Sequence, residues 1–237
     1  MYSHLIHKID RDIAAQLKSL GVGKKRSEKY TYPCITISRE FGCEGIPVAQ
    51  KLSEKLSTPG YPWVIFHRDL ISTLTEKEDI KKDLLDAINT ETRGLLHQYI
   101  DHLLAHKPSD YNVFKKKAET LNILAARGRS IIVGSGAAII TSDIKNTFHV
   151  RLQASMEFKV QQVSKLLNMT EKEAREKIEE KYRKRTEYIY NFTRQDVTDP
   201  HHYDLVINNS RFNADEIVEL IHRSLVLLNM LPQSGDA

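Results

Sequence analysis

From residue 33 to residue 47 the chain reads Pro-Cys-Ile-Thr-Ile-Ser-Arg-Glu-Phe-Gly-Cys-Glu-Gly-Ile-Pro, and this stretch decides the fold. Its first part, residues 33–38, is short, apolar and rich in β-branched side chains, which predicts a buried parallel strand. Glycines follow at positions 42 and 45, and apolar residues then recur at helical period over residues 47–56. A buried strand that turns directly into a helix predicts an α/β protein.

The turn between this strand and this helix is a candidate binding loop for a phosphorylated cofactor. Glycines allow backbone N–H groups to point inward, and a helix N-terminus behind them favours an anion. A tight turn also uses glycine for steric reasons alone, and both interpretations remain open. The lysine and hydroxyl of the GxxxxGK[ST] pattern are missing, because their positions hold Gly45 and Ile46. The candidate cofactor-binding residues are Phe41, Gly42, Cys43, Glu44, Gly45 and Ile46.

Strand and helix patterns alternate along the rest of the chain. Short apolar runs predict four further strands at 63–66, 130–133, 147–152 and 204–208. Helical periods lie at 155–168, 170–190 and 213–229. This alternation predicts about five parallel strands with helices on both faces of the sheet. Ligands bind such sheets beyond the carboxyl ends of the strands, so the residues that follow each strand are the candidates for a site.

The chain divides into an N-terminal helical extension with its linker, residues 1–29, and an α/β domain, residues 30–237. Apolar residues in the extension fall mostly three or four apart, from Leu5 to Leu20, and form one stripe on a helix. The stripe could pack on its own domain, on a second copy of the chain or on another partner, and these alternatives remain open.

Composition narrows the class of partner. Hydrophobic residues make up 41% and charged residues 28%, and the formal net charge is +4. This mild excess suits an anionic small molecule and is too weak to predict nucleic-acid binding. No apolar run approaches the roughly 18 residues of a membrane span, so no membrane partner is expected. Charges within the first residues argue against a signal peptide, and we expect a soluble, cytoplasmic protein.

Cysteine and histidine spacing gives little support to metal or thiol chemistry. Cys34 and Cys43 form no CxxC pair, which favours free thiols in a reducing compartment and no metal site. His102 and His106 are four apart, but no carboxylate completes a recognisable ligand set. Cys43 at a helix N-terminus could have a lowered pKa, although the spacing supplies no base, and a small loop residue is the simpler interpretation.

Five stretches, in the right order and spacing, resemble the cytidylate-kinase-like family. The family opens with ITISR(E/Q)(F/Y)G, a short loop and a helix. The resemblance spans residues 32–229, nearly the whole chain after the extension. It is carried by Ile35–Ala49, Val64–Ile71, Gly128–Ala137, Phe148–Leu152 and Tyr203–Ser210.

The resemblance implies a fold of the P-loop kinase type and transfer of the γ-phosphoryl group of ATP, with Mg²⁺, to a nucleotide such as CMP. Catalysis of this kind depends on positioning and on positive charge. The implied catalytic residues are Arg39 beside the first strand and Arg183 and Arg185 in an arginine-rich lid. The implied substrate-binding residues follow the second and third strands: His67, Arg68, Asp69, Gly134, Ser135 and Gly136.

Several positions depart from the family pattern. Ile46 and Ser135 stand where the family places arginine, and His67 stands where it commonly places aspartate. Tyr182 lies three residues before Arg185, where the family often has aspartate. Losing one preorganised charge contact can cost about 10²–10³ in rate. Two functions therefore remain open: an active phosphotransferase, and an inactive kinase-like protein that binds nucleotides as a regulatory or interaction protein.

Overall fold

The structure is a computed structural model that describes residues 32–76 and 111–231. The extension at 1–29, His102 and His106 lie outside the described residues. Five strands are described: β1 (Cys34–Arg39), β2 (Val64–Phe66), β3 (Ser130–Val133), β4 (Thr147–Gln153) and β5 (Leu205–Asn208). The α-helices in this part of the chain are α1 (Gly45–Leu56), α2 (Arg68–Glu76), α3 (Tyr111–Arg127), α4 (Ala137–Ile140), α5 (Met156–Leu167), α6 (Glu171–Thr193) and α7 (Ala214–Leu227).

The strands form one sheet in the order β2-β3-β1-β4-β5, and every pairing is parallel. The prediction of a five-stranded parallel sheet is therefore confirmed. β1 lies at the centre, where Ile37 is in register with Val133 of β3 and with Val150 of β4. Because the strands run in one direction, the residues that follow β1, β2 and β3 meet at one edge of the sheet.

Helices cover both faces of the sheet, as predicted. On one face α2 and α3 pack on β1, β2 and β3 around Cys34, Phe66 and Ile132. On the other face α1 and α7 pack on a cluster that includes Ile35 and Phe148. Successive residues of β1 thus face opposite sides, and both sides are buried, which is why its sequence is almost continuously apolar. Burial of each large apolar side chain contributes about 1.5–3 kcal/mol.

The ends of the later helices follow from local hydrogen bonds. A capping box begins α6, in which Thr170 and Glu173 bond each other's backbone N–H groups. The helix continues three residues past its predicted end and stops at Arg194, which has a left-handed conformation. Asn213 and Glu216 form the same box at the start of α7. Among the described helices, none combines the length and the apolar character that crossing a membrane requires.

Candidate functional site

Arg39, the last residue of β1, lies between the loop after β1 and the loop after β3. A Cβ added to Gly134 would lie 2.2 Å from the guanidinium Nη1 of Arg39. A Cβ added to Gly45 would lie 3.0 Å from the Cδ of Arg39. The two glycines therefore leave the space in which the arginine side chain runs. Gly134 also has a φ of +80°, which side-chain-bearing residues rarely adopt.

Arg185 of α6 reaches back to the same strand end. Its guanidinium donates hydrogen bonds to the backbone carbonyl of Arg39 and, at 2.7 Å, to the hydroxyl of Ser38. The Tyr203 hydroxyl also donates to Ser38, at 3.3 Å. Burial, and then the neighbouring charge of Arg39, lower the pKa of Arg185 to about 10. Two hydrogen bonds therefore fix Arg185 against the end of β1.

Arg68, the first residue of α2, brings a third guanidinium to this edge of the sheet. Burial lowers the pKa of Arg39, and the charge of Arg68 lowers it further, so the two cations are close enough to repel each other. Within the described residues, Arg39, Arg68 and Arg185 form no salt bridge with a carboxylate. Clustered cations that lack carboxylate partners favour the binding of an anion.

Lys117 of α3 lies beside this cluster, and the sequence analysis missed it. Its ammonium is 5.3 Å from the centre of the Tyr188 ring. Burial, followed by the charges of Arg68 and Arg185, lowers the pKa of Lys117 to about 8. In the sequence Lys117 ends a run of three lysines, a pattern typical of a solvated helix face, so no signal distinguished it from its neighbours.

Most backbone amides of the loop after β1 already have acceptors within the protein. The amide of Cys43 donates to the Glu40 carbonyl at 3.2 Å, and that of Gly45 to the Cys43 carbonyl at 2.9 Å. The Glu44 amide donates to the side chain of Asn209 at 2.8 Å. Among the described residues, none accepts from the amides of residues 42 and 46. Phosphate binding at residues 42–46 stays a prediction, and an anion there could use these two amides.

On its other side the loop is held by paired charges. Glu40 bonds Lys159 of α5 at 2.7 Å and lies 3.7 Å from the guanidinium of Arg151. A Cβ on Gly42, which has a φ of +101°, would lie 2.9 Å from the Cβ of Lys159. The loop is thus closely packed on α5, with Phe41 partly buried against Val160 and its neighbours. Lysine and arginine on this side of β1 are thus paired with Glu40, whereas Arg39 near Gly134 forms no salt bridge within the described residues.

Asn209 fixes the loop to the turn after β5, and we expect its removal to destabilise the protein. Its buried amide donates to the Glu44 carboxylate at 3.1 Å and to the Phe212 carbonyl at 3.2 Å, and it accepts from the Glu44 amide. Asn209→Ala should lower the free energy of unfolding by about 1–3 kcal/mol, because it leaves buried polar groups without partners. Urea denaturation measures this loss. The exposed Asn208, whose side chain accepts one bond from Ser210, supplies the control Asn208→Ala; equal losses in both variants would contradict the role of Asn209.

The remaining predicted residues are not all brought together. His67 and Asp69 are exposed beside Arg68, with His67 Nδ1 4.0 Å from Asp69 Oδ2. Ser135 has a φ of +62°, and no described residue forms a hydrogen bond with its buried hydroxyl oxygen. Gly136 contacts α6, since a Cβ there would lie 2.3 Å from the Cδ1 of Ile189. Arg183, in contrast, is exposed on α6, and no described contact joins it to Arg39 or Arg185.

Neither thiol nor metal chemistry gains support at the site. Burial, and then the charge of Glu40, raise the pKa of Cys43 to about 12. The helix N-terminus therefore does not lower this pKa, and the side chain stays a thiol at neutral pH. Within residues 32–76 and 111–231, no three His, Cys, Asp or Glu side chains are grouped so that they could hold a metal ion.

Comparisons with known proteins identify a family and a shared fold. The model of a family described as cytidylate kinase-like matches residues 34–211. A solved structure of an uncharacterized protein from Eubacterium ventriosum aligns with a TM-score of 0.65 at 20% identity, covering 83% of this chain and 99% of the other. At that identity the likeness shows the fold alone.

Two further solved structures are more distant. A shikimate kinase from Bacteroides thetaiotaomicron aligns with a TM-score of 0.45 at 11% identity, over 83% of this chain and 98% of the other. A Thermus thermophilus protein aligns with a TM-score of 0.44 at 15% identity, over 86% and 100%. With scores this low, neither carries an argument about function. A search among curated proteins found no match.

Proposed function

The chain belongs to the cytidylate kinase-like family, and we propose that it transfers the γ-phosphoryl group of ATP to a nucleoside monophosphate or a related phosphorylated acceptor. Family membership supports a nucleotide-binding, kinase-like protein, and the reaction is the further step. One observation carries it: Arg39, Arg68 and Arg185 converge at the carboxyl ends of β1 and β2 without carboxylate partners among the described residues. Phosphoryl transfer requires such preorganised charge.

These arginines can replace the charge that the loop lacks. In the proposed step a bond forms between an acceptor oxygen and the γ-phosphorus, and the bond from that phosphorus to the β–γ bridging oxygen breaks, leaving ADP. The three peripheral oxygens of the moving group carry negative charge throughout. Arg185, held by Ser38 and by the Arg39 carbonyl, meets that charge without having to reorganise. Arg39 lies between the two loops and contacts the same group.

The acceptor is proposed to bind between the residues that follow β2 and those that follow β3. His67, Arg68 and Asp69 are exposed at the first of these ends. The loop 134–136 lies at the second, and its buried Ser135 hydroxyl has no hydrogen-bond partner within the described part of the chain. Because Ser135 replaces the arginine of the family pattern, Arg39 and Arg68 are the positive charges nearest the proposed acceptor. Two positive charges at this position support an acceptor that itself carries a phosphate group.

Magnesium, which the family implies, is not matched by a preformed set of ligands in the described residues. Mg²⁺ prefers carboxylate oxygens and waters in octahedral geometry. The loop position that would supply a hydroxyl is Ile46. Nearby, Glu40 is paired with Lys159, and Glu44 accepts from Asn209. These residues do not fit a resident magnesium site, and the proposed step depends only on the protein's own cations.

A cytoplasmic location accords with this function. Both cysteines, Cys34 and Cys43, are free, which suits a reducing compartment in which ATP is available.

An assay with radiolabelled ATP tests the proposed function. Purified protein with Mg²⁺ and γ-labelled ATP is incubated in turn with CMP, UMP, AMP and dCMP, and we expect one of these acceptors to become labelled. Thermal unfolding with the same nucleotides reports binding, because a ligand stabilises the folded state by mass action. Folded protein that is stabilised by nucleotides but labels none of the four acceptors would contradict transfer to a nucleoside monophosphate.

That outcome would favour the second candidate, a kinase-like protein that binds nucleotides without transferring phosphate. The internal hydrogen bonds of the loop support this alternative. The amides of Cys43, Glu44 and Gly45 are engaged, and the carboxylate of Glu44 stays at the start of α1. A carboxylate there competes with phosphate for the same positive end of the helix.

A further inference from the structure

We propose that Lys117 is a ligand-binding residue whose ammonium completes the anion site of Arg39, Arg68 and Arg185 and fits it to a dianionic phosphoryl group. This inference rests on the proposed function, since it assigns a fourth cation to the same site. Lys117 belongs to α3 and lies outside every stretch that carries the family resemblance, between Val64–Ile71 and Gly128–Ala137. Geometry alone brings it to the site.

Two helices bring charged groups toward Lys117. Arg68 at the start of α2 and Arg185 in the middle of α6 are each close enough to disfavour a positive charge on Lys117. Arg185 in turn bonds the carbonyl of Arg39. Lys117 itself lies over the ring of Tyr188, which follows Arg185 by three residues on α6 and therefore shares its face of the helix. A half-buried lysine normally has negatively charged neighbours. The charged neighbours of Lys117 named here are arginines, and this arrangement requires an explanation.

Lys117 is held in place but has no carboxylate partner among the described residues. Its ammonium lies over the ring of Tyr188, at 5.3 Å, which orients the side chain without neutralising it. Phe114 and Phe192 stack at 4.3 Å beside the same tyrosine, so the ring is supported from behind. A cation that is oriented, partly desolvated and unneutralised has its charge available to a ligand.

The number of cations indicates the kind of ligand. Three guanidiniums and one ammonium lie near this edge of the sheet, and none of the four forms a salt bridge with a carboxylate of the described residues. A single carboxylate would offset only a small part of that charge, whereas a phosphomonoester carries close to two negative charges above neutral pH. The site therefore fits a dianionic phosphoryl group better than a monoanion.

Binding at this site should depend on pH. The charged and titratable groups that face Lys117 from the described elements are Arg68 on α2, Arg185 and Tyr188 on α6, and Arg39 on β1 through Arg185. With a pKa of about 8, Lys117 loses its charge as the pH rises through that value. A bound dianion favours the charged form of Lys117. Above pH 8, where the lysine of the free protein is mostly neutral, ligand binding therefore requires that Lys117 take up a proton. The affinity should then fall as the pH rises from 7.5 to 9.5.

Titration of the full chain with phenyl phosphate, followed by ³¹P NMR, tests the proposal. This probe presents a phosphoryl group without a nucleoside, and its dianionic form predominates above pH 7.5 because its second pKa is about 6. Lys117→Met should weaken binding about 10- to 100-fold, the usual size of a charge-assisted contact. In the wild type the affinity should fall about tenfold between pH 7.5 and pH 9.5. Lys117→Arg should bind as tightly as the wild type at pH 7.5 and should not lose affinity up to pH 9.5. The neighbouring Lys116, exposed on the same helix, provides the control Lys116→Met, which should bind as the wild type does.

The outcomes separate this inference from the proposed function. Equal binding by Lys117→Met and the wild type, both folded by thermal unfolding, would overturn the role of Lys117 and leave the phosphotransferase proposal standing. Binding that depends on Lys117, in a protein that labels no acceptor, would support the inference and contradict the enzymatic proposal. Wild-type protein that does not bind phenyl phosphate would overturn the anion site and Lys117 with it.

Discussion

Arg185→Ala is expected to lower the rate of phosphoryl transfer by about 10³-fold or more, since an arginine acting on the transferred group is worth about 10³–10⁵. The guanidinium is fixed by Ser38 and by the carbonyl of Arg39, so its charge is held in place for the transferred group. Much of the ATP affinity should survive, because the loss falls on the transition state more than on the ground state. Initial rates with labelled ATP and the preferred acceptor measure the effect.

Two companion variants make the Arg185 result interpretable. Arg185→Lys keeps a charge but cannot form the same paired hydrogen bonds, and it should recover only part of the rate. Arg175 is exposed on α6, ten residues before Arg185, and supplies the control Arg175→Ala, for which the rate should be unchanged. Circular dichroism and the melting temperature establish that each variant is folded. A folded Arg185→Ala protein with undiminished turnover would remove Arg185 from the proposed mechanism.

Gly134→Ala is expected to reduce turnover about 10²- to 10³-fold while leaving the protein folded. The new Cβ would lie 2.2 Å from the Arg39 guanidinium, and the atom it meets is the end of a flexible side chain. Arg39 can therefore move aside without unfolding β1, but it then no longer meets the phosphoryl group. Loss of one preorganised charge contact has about this cost. The φ of +80° adds about 1–2 kcal/mol of strain.

The control variant Gly60→Ala distinguishes the effect of backbone strain from the effect of displacing Arg39. Gly60 has a φ of +81°, almost that of Gly134, but apart from its two chain neighbours no described residue has an atom within 4 Å of an added Cβ. Gly60→Ala should therefore lower the free energy of unfolding by about 1–2 kcal/mol and leave turnover intact. Rates and urea denaturation, measured on both variants, give the comparison. If both substitutions affect stability and rate alike, the close approach of Arg39 to Gly134 has no role in function.

Local patterns allowed most of the described fold to be predicted. The β-branched apolar runs at β1 and β3 match the strands because both faces of a central parallel strand are buried. The capping signals at Thr170 and Asn213 begin helices where the sequence analysis expected them. The strand order was not predictable in the same way, because it depends on pairing between distant segments.

The site was less predictable, because its contacts join distant parts of the chain. Arg39 and Arg185 are 146 positions apart, and only the packing of α6 on the sheet brings them together. Arg183 and Arg185 look equivalent in the sequence, yet residues two apart on a helix do not share a face. Lys117 carries no motif at all. The internal acceptors of the loop, above all Asn209, also depend on tertiary contacts.

The most direct test of the account is an anomalous diffraction experiment on crystals of the full chain soaked in tungstate, a heavy analogue of phosphate. We expect an anomalous peak within hydrogen-bonding distance of the guanidinium groups of Arg39 and Arg185, at the carboxyl end of β1. A peak elsewhere on the molecule, with ordered density for both arginines and no anion between them, would contradict the central claim that these cations form the phosphoryl-binding site.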